Sequence, residues 1–231
     1  MLEMVVASAM LNETMKLNLA NSRRGITLIE VVVVVGVLVV LAAMLLPTGV
    51  GVSKSQVKRH ECANNLKQMS LALNTWAMDN GDKFPILISM TNHGTMEFAQ
   101  RGDLRVVFLG LSNELATPKL LICPSDTARK PARTFDGGFN IENISYFVGI
   151  DASDATPAAL LFGDGNITNS APPQNHILSM TTNDVFGWTD KLHNHQGNVG
   201  LADGSVQQYS DGGLRKALAK TGLATNRLAI P

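Results

Sequence analysis

With 231 residues, 45% of them hydrophobic, the chain has room for one domain of ordinary size and an additional element. Its 19 basic and 19 acidic side chains give a formal net charge of zero. This balance argues against the strongly basic class of nucleic-acid-binding proteins, and no nucleic-acid partner is expected.

The first feature in chain order is a long apolar run. Between Ile26 and Leu46 the only polar side chains are Thr27 and Glu30. A helix of this length covers the roughly 30 Å of a bilayer hydrocarbon core, where an ionised acid costs at least about 2.5 kcal/mol. The pattern predicts a transmembrane helix whose single acid has a partner.

Basic residues precede this run, at Lys16, Arg23 and Arg24. The Lys/Arg bias keeps the N-terminus in the cytoplasm, which predicts a single pass through the inner (cytoplasmic) membrane and an extracytoplasmic location for everything after Pro47. Two other interpretations stay open: a buried β-rich core, and a secretory signal that is cut after Ala42 or Ala43.

The stretch "RRGITLIE" resembles the processing site of type IV pilins and type II secretion pseudopilins. That site has a basic leader, a cut after glycine and a glutamate as the fifth mature residue. The resemblance implies that prepilin peptidase removes residues 1–25 by cutting between Gly25 and Ile26, and that the new amine is methylated. The family usually has phenylalanine where this chain has Ile26, and a start at Met15 gives a leader of more familiar length.

A cut at this bond gives Glu30 a physical purpose. It creates an α-amino group near the start of the helix, and the Glu30 carboxylate can pair with that ammonium on a neighbouring subunit. Pairing removes much of the burial cost that an isolated acid carries. We therefore interpret Glu30 as an assembly residue.

The helix is predicted to continue beyond Pro47, which lacks an N–H group and introduces a kink. Apolar residues then recur at mostly three- and four-residue spacings, as an amphipathic helix requires. They are Val57, Leu66, Met69, Leu73, Trp76 and Ala77. The prediction is a transmembrane and assembly helix over residues 26–47 and an amphipathic continuation over residues 48–80.

Residues 81–231 are predicted to form an extracytoplasmic, β-rich globular head. Strand candidates are residues 144–150, 159–166 and 176–180. Asp203 and Gly204 lie between two further extended runs, which predicts a hairpin with a two-residue type I′ turn. The fold class expected is α+β and pilin-like: a long N-terminal helix packed on a small antiparallel sheet.

The head also resembles a large group of bacterial prepilin-like proteins through four motifs. These are a "C…NNLKQ" helix start, a "CPSD" loop, a "GD.N" strand end, and a histidine followed nine residues later by "DG". In this chain they correspond to Cys62 with residues 64–68, residues 123–126, residues 163–166, and His193 with Asp203 and Gly204. The resemblance implies architecture more than biochemical role.

Cys62 and Cys123 are the only cysteines, and two interpretations stay open for them. An oxidising compartment favours a disulfide between head and helix, whereas spacing alone is equally consistent with two unpaired, partly buried thiols.

Two further candidate chemistries concern the head. Some pseudopilin heads bind calcium, and Asp164, Asn166 and Asp203 supply suitable oxygen ligands, so a Ca²⁺ site is one candidate and no cofactor is the other.

No nucleophile elbow, "HExxH" or phosphate loop occurs, and we expect no enzymatic activity. A short helix from about Leu214 is expected near the C-terminus.

These observations predict a structural subunit of a type IV pilus or type II secretion pseudopilus. The partners implied by the resemblance are other pilin or pseudopilin subunits, prepilin peptidase, an inner-membrane assembly platform and membrane lipid. One alternative is a permanently membrane-anchored extracytoplasmic binding domain that does not polymerise. A second alternative is a calcium-binding or catalytic head on a pilin stem.

Overall fold

The computed structural model describes residues 25–45, 54–169 and 171–231. The chain divides into two units between Gly51 and Val52. The first unit contains one described helix, and the second contains all the other described helices and strands. The predicted kink at Pro47 and residues 1–24 of the predicted leader lie outside the described residues.

The helix of the first unit, α1 (Leu28–Leu45), begins with a reciprocal pair of polar side chains. Thr27 donates from its backbone N and from Oγ1 to Glu30 Oε2, each over 3.3 Å, and Glu30 N donates to Thr27 Oγ1 over 3.4 Å. This is a capping box, in which threonine and a glutamate three residues later satisfy backbone N–H groups at the helix start. Glu30 therefore has a local role that the sequence analysis did not include.

The predicted membrane span is wrong. Among the described residues, no helix has the length and apolarity that crossing a bilayer requires. The predicted single-pass location in the inner membrane is contradicted by the same finding.

The predicted fold class is also wrong. In place of one long N-terminal helix, the structure has α1 in the first unit and α2 (Lys54–Asp79) in the second. The sheet is not small, because it has six antiparallel strands, and α2 packs against three of them. Helical spacing is a local signal, whereas such a sheet depends on pairings between distant segments, which spacing does not reveal.

The main sheet has the strand order β4-β8-β1-β2-β6-β7, and a separate two-stranded sheet pairs β3 with β5. All the pairs are antiparallel. The strands are β1 (Tyr146–Gly149), β2 (Leu160–Asp164), β3 (Ile167–Asn169), β4 (Ile177–Met180), β5 (Phe186–Trp188), β6 (Gln196–Leu201), β7 (Val206–Ser210) and β8 (Asn226–Ala229). Strands β1, β2 and β4 lie within the three predicted strand segments.

Apolar cores cover both faces of the main sheet. Tyr146 and Val148 of β1 join the core that α2 covers, whereas Phe147 between them joins a second core. This alternation follows from the two-residue period of a strand. The second core includes Leu214 and Leu218 of α5 (Asp211–Leu218). Buried positions on both faces explain why β1 and β2 have buried side chains at every position.

Short helices connect α2 to the sheet. Two are α-helical, α3 (Met96–Ala99) and α4 (Leu104–Leu109). Four are 3-10 helices: Pro85–Leu87, Met90–Asn92, Pro118–Leu121 and Ile141–Asn143. Within α2 the predicted apolar stripe is buried from Leu66 to Ala77, but Val57 is 45% exposed and does not belong to it.

The predicted hairpin is present, with a different turn. Strands β6 and β7 pair, and Leu201 N donates to Ser205 O over 2.8 Å around a three-residue loop. Gly204 is left-handed (φ 82°), whereas Asp203 accepts from Ser205 N through Oδ1 over 2.8 Å. A three-residue loop that ends in a left-handed glycine is the usual alternative to the predicted type I′ turn.

Candidate functional site

Four side chains from distant segments meet in the second unit. Cys62 comes from α2, Cys123 from the loop after the 3-10 helix at residues 118–121, Asp164 from the end of β2, and His193 from the loop before β6. Their sulfur, nitrogen and carboxylate oxygen atoms lie within 4.8 Å of one another. We call these four residues the Cys-His-Asp cluster. It joins residues that the sequence analysis placed in four separate motifs.

The two cysteines form a disulfide with a Cα–Cα distance of 5.1 Å. Both residues are 0% exposed. The bond spans a sequence separation of 61 residues and ties α2 to the loop that leads toward β1. For a loop of this length, the loss of chain entropy in the unfolded state stabilises the fold by about 4 kcal/mol.

Removal of the disulfide is therefore expected to lower stability strongly. The double substitution Cys62→Ser with Cys123→Ser should reduce the free energy of unfolding by roughly 2–5 kcal/mol. Urea unfolding with a chelator present measures this, with chemically reduced wild type as the matched control. An unchanged unfolding midpoint in both samples would contradict a stabilising role for the bond.

His193 lies between the disulfide and the acid. Its Nε2 atom is 3.3 Å from Cys123 Sγ and 3.3 Å from Asp164 Oδ2. The side chains of His193 and Asp164 are only 2% and 0% exposed. Because water hardly reaches them, these polar groups depend on protein partners.

Asn198 holds one oxygen of the buried acid. Asp164 Oδ2 accepts hydrogen bonds from Asn198 N over 2.7 Å and from Asn198 Nδ2 over 2.9 Å. The same Nδ2 atom also donates to Arg59 O over 3.3 Å, which links the acid to α2. Within the described chain, the other carboxylate oxygen, Oδ1, is buried without a hydrogen-bond partner.

Burial changes both titrating groups of the cluster. It raises the pKa of Asp164 from 3.8 to about 7, although hydrogen bonds from Asn198 and the charge of Arg59 act in the opposite direction. Burial lowers the pKa of His193 from 6.5 to about 4, and Arg59 acts in the same direction. Between about pH 4 and about pH 7, Asp164 and His193 together hold one proton. The two pKa values therefore describe the pair as a whole and not each residue separately.

Neighbouring motif residues shape the loop that carries Cys123. Asn65 Nδ2 donates to Ile122 O over 3.1 Å. Asp126 Oδ2 accepts from Ser145 Oγ over 2.8 Å, while Asp126 Oδ1 accepts from the backbone N of Arg129 over 3.2 Å. The "NNLKQ" and "CPSD" motifs therefore position the cysteine, which accounts for their polar side chains.

The three candidate calcium ligands do not come together. Asp164 ends β2, but the backbone N of Asp203 donates to Pro157 O, before the other end of that strand. A five-residue strand is about 16 Å long, so these two acids are too far apart for one ion. Asn166 instead donates to Thr189 O over 3.0 Å and to Gln196 O over 3.2 Å.

A cleft of about 390 Å³ opens beside the cluster. Arg59 and His193 line it together with Asp190, Asn194 and Gln196. A larger cleft of about 720 Å³ has Arg101 and His176 among its lining residues, but none of the cluster residues. The smaller cleft therefore gives a route from solvent toward the cluster.

The residues predicted for processing and assembly lie in the first unit. Gly25 and Ile26 precede α1, have no regular secondary structure and are exposed, with Ile26 77% exposed. Glu30 is also exposed and caps the helix. The bond between Gly25 and Ile26 thus lies outside α1, between two exposed residues.

No family model, curated protein or solved structure matches this chain. Its function therefore has to be inferred from its own residues and their geometry.

Sequence reasoning missed two residues of the site, Arg59 and Asn198. Arg59 lies three residues before Cys62, on the stripe that continues through Leu66 and Met69, and a cation at an apolar-stripe position was a usable signal. Asn198 is 0% exposed, whereas the other buried residues of its strand, β6, are glycines and a valine. A polar side chain at such a position needs a polar partner, which here is Asp164.

Proposed function

We propose that this chain is a structural subunit of a filament of the type IV pilus or type II secretion pseudopilus kind, cut after Gly25 and assembled with copies of itself through α1. The observation that carries the proposal is the exposure of this helix. All of its described side chains up to residue 43 are exposed, and the large apolar ones are between 49% and 83% exposed. Within the first unit, no described residue covers them.

A helix of this kind needs a partner. Isolated helices of this length are marginal in water, and β-branched valines lower helix propensity further. A helix that is apolar on all sides is usually buried on all sides, and an exposed apolar patch of this extent marks an interaction site. An identical helix from another copy offers the matching apolar surface.

Charge complementarity favours copies of the same chain over a different partner. After a cut at Gly25, each copy carries one ammonium, on Ile26, and one carboxylate, on Glu30, at the same end of an otherwise apolar helix. Pairing the acid of one copy with the amine of the next is a heterologous contact. Contacts of that type propagate into an open filament when the rotation between copies does not close.

Processing tests the first step of this proposal. In cells with an active prepilin peptidase, the mature protein should begin at Ile26, lack residues 1–25 and carry one added methyl group on its amine. N-terminal sequencing and intact mass measure this. The variant Gly25→Val is the matched control and should remain uncut. A wild-type chain that begins at Met1 or Met15 would contradict the proposal.

Crosslinking tests the second step on the same samples. A cysteine at Val37, which is 53% exposed, should crosslink between copies and give a covalent dimer, because it provides one free thiol per chain while the native cysteines are already joined. The uncut Gly25→Val background should give no such dimer. A single crosslinked product with a different protein would contradict self-assembly.

A further inference from the structure

We propose that the Cys-His-Asp cluster is a redox-gated zinc site, in which reduction of the disulfide converts four buried side chains into ligands for one Zn²⁺ ion. The inference concerns the second unit and is independent of filament assembly through α1. It rests on the spacing of the ligand atoms, an unused carboxylate oxygen and the charge of the site.

The imidazole nitrogen of His193 already lies at tetrahedral spacing from one sulfur and from the carboxylate, whereas the two sulfurs are bonded to each other and separate on reduction. Zinc bonds of about 2.0–2.3 Å place neighbouring ligand atoms about 3.3–3.8 Å apart. His193 Nε2 lies 3.3 Å from Cys123 Sγ and 3.3 Å from Oδ2 of the Asp164 carboxylate, at the lower end of that range, and Oδ1 of the same carboxylate is the oxygen without a partner in the described chain. The fourth atom, Cys62 Sγ, lies within 4.8 Å of all the others. Two sulfurs, one imidazole nitrogen and one carboxylate oxygen form a donor set that suits zinc.

One carboxylate oxygen of Asp164, Oδ1, is available to bind a metal. Asn198 holds Asp164 Oδ2 with two hydrogen bonds, of 2.7 and 2.9 Å, whereas Oδ1 is buried without a partner in the described chain. An unpaired buried carboxylate oxygen is costly unless something binds it. Metal-binding carboxylates are commonly oriented by outer hydrogen bonds of the kind that Asn198 provides.

The charge of the site also balances when zinc is bound. Two thiolates, one carboxylate and Zn²⁺ sum to −1, with a neutral imidazole. The Arg59 guanidinium, whose charge acts on Asp164, supplies the compensating +1. A buried site with no net charge avoids the large desolvation cost of an uncompensated ion.

The chemistry needs a dithiol reductant, which we name as the co-reactant. Thiol–disulfide exchange transfers two electrons and two protons from the dithiol to the protein disulfide, so that the dithiol becomes a disulfide and Cys62 and Cys123 become thiols. Zn²⁺ then replaces the two thiol protons, which pass to solvent. The cleft beside His193 provides the route for the ion.

The test uses the full chain and zinc chloride as the probe. After reduction with a dithiol and its removal without oxygen, wild type should retain one zinc per chain through gel filtration, measured by elemental analysis. Oxidised wild type should retain at least 10-fold less. Cobalt substitution should give the absorption of a tetrahedral thiolate site, which nonspecific binding to surface histidines does not produce.

Two variants and one control separate this site from others. His193→Gln and Asp164→Asn should weaken zinc binding by the reduced chain by more than the roughly 10- to 100-fold that loss of an outer-shell contact causes. His60→Gln, which removes an exposed histidine from the same helix as Cys62, should bind like wild type. Equal zinc retention by all four proteins would overturn the proposal.

Folding is followed in every sample by circular dichroism. If reduction unfolds the chain, zinc should restore the fold of wild type and of His60→Gln, but not of the two ligand variants. A reduced chain that neither binds zinc nor regains its fold with zinc would also overturn the proposal.

Discussion

The substitution Glu30→Gln is expected to abolish filament formation while leaving the subunit folded and correctly cut. Glutamine preserves the capping box, because it also serves at the third helical position. It removes only the charge, so the Ile26 ammonium of the neighbouring copy stays buried and unpaired. Breaking a buried pair in this way costs about 3–5 kcal/mol, which is a loss of roughly 100-fold or more in association at each contact. Sheared filament yield and electron microscopy measure the effect.

The matched control is Thr27→Ala, which removes the cap and keeps the charge. In the structure Thr27 Oγ1 is the group that bonds both Glu30 Oε2 and Glu30 N. Its loss should weaken the helix start by about 0.5–2 kcal/mol, with filaments still formed. If Glu30→Gln assembles as well as wild type and Thr27→Ala does not, Glu30 is a helix cap and has no part in pairing between copies.

The second large effect concerns pH and the buried pair of the disulfide form. In wild type, the folded pair titrates at about 4 and about 7, and the unfolded groups titrate at 3.8 and 6.5. Both states therefore hold one proton over nearly the same pH range. Since stability changes with pH only when the folded and unfolded states bind different numbers of protons, the contribution of this pair should vary by no more than about 1 kcal/mol.

In the variant His193→Gln, stability should depend on pH because Asp164 is buried. The folded pKa of this acid is raised to about 7 from 3.8, so between these values the folded state holds a proton that the unfolded state has released. Its stabilising contribution is complete below about pH 4 and is lost as pH rises to about 7. The loss amounts to roughly 4 kcal/mol at 1.36 kcal/mol per pH unit. Urea unfolding at several pH values measures it.

The double variant His193→Gln with Asp164→Asn is the control for this profile. It has neither titrating group, so its stability relative to wild type should change little between pH 4 and pH 7. A falling profile in the double variant would assign the pH dependence to other groups. A flat profile in His193→Gln alone would mean that Asp164 is not buried as an isolated acid.

Local patterns predicted the elements that depend on neighbouring residues. The strands β1, β2 and β4 and the β6–β7 hairpin appeared as short apolar runs between turn residues. Strand β8 was missed, because four residues near the C-terminus acquire their strand conformation by pairing with β4 and with β1, where Val148 lies opposite Ala229. The turn of the hairpin was also misassigned, since "DG" fits both a two-residue turn and the end of a three-residue loop.

The membrane prediction failed through helix boundaries. The prediction treated the whole apolar run from Ile26 to Leu46 as helix. In the structure the helix begins at Leu28, because Thr27 and Glu30 cap it. The described part of the helix extends to Leu45. The cap at Thr27 and Glu30 thus sets a later helix start than the apolar run predicts.

The sequence alone predicted the amphipathic face of α2, the apolar helix α1 and the hairpin, because each depends on spacings within a few residues. It also identified Cys62, Cys123, Asp164 and His193 as residues of interest. Only the tertiary structure decided that these four lie together and that Asp203 lies apart from them. Strand register and the packing of α2 on the sheet set those distances, and both depend on contacts between segments that are far apart in the chain.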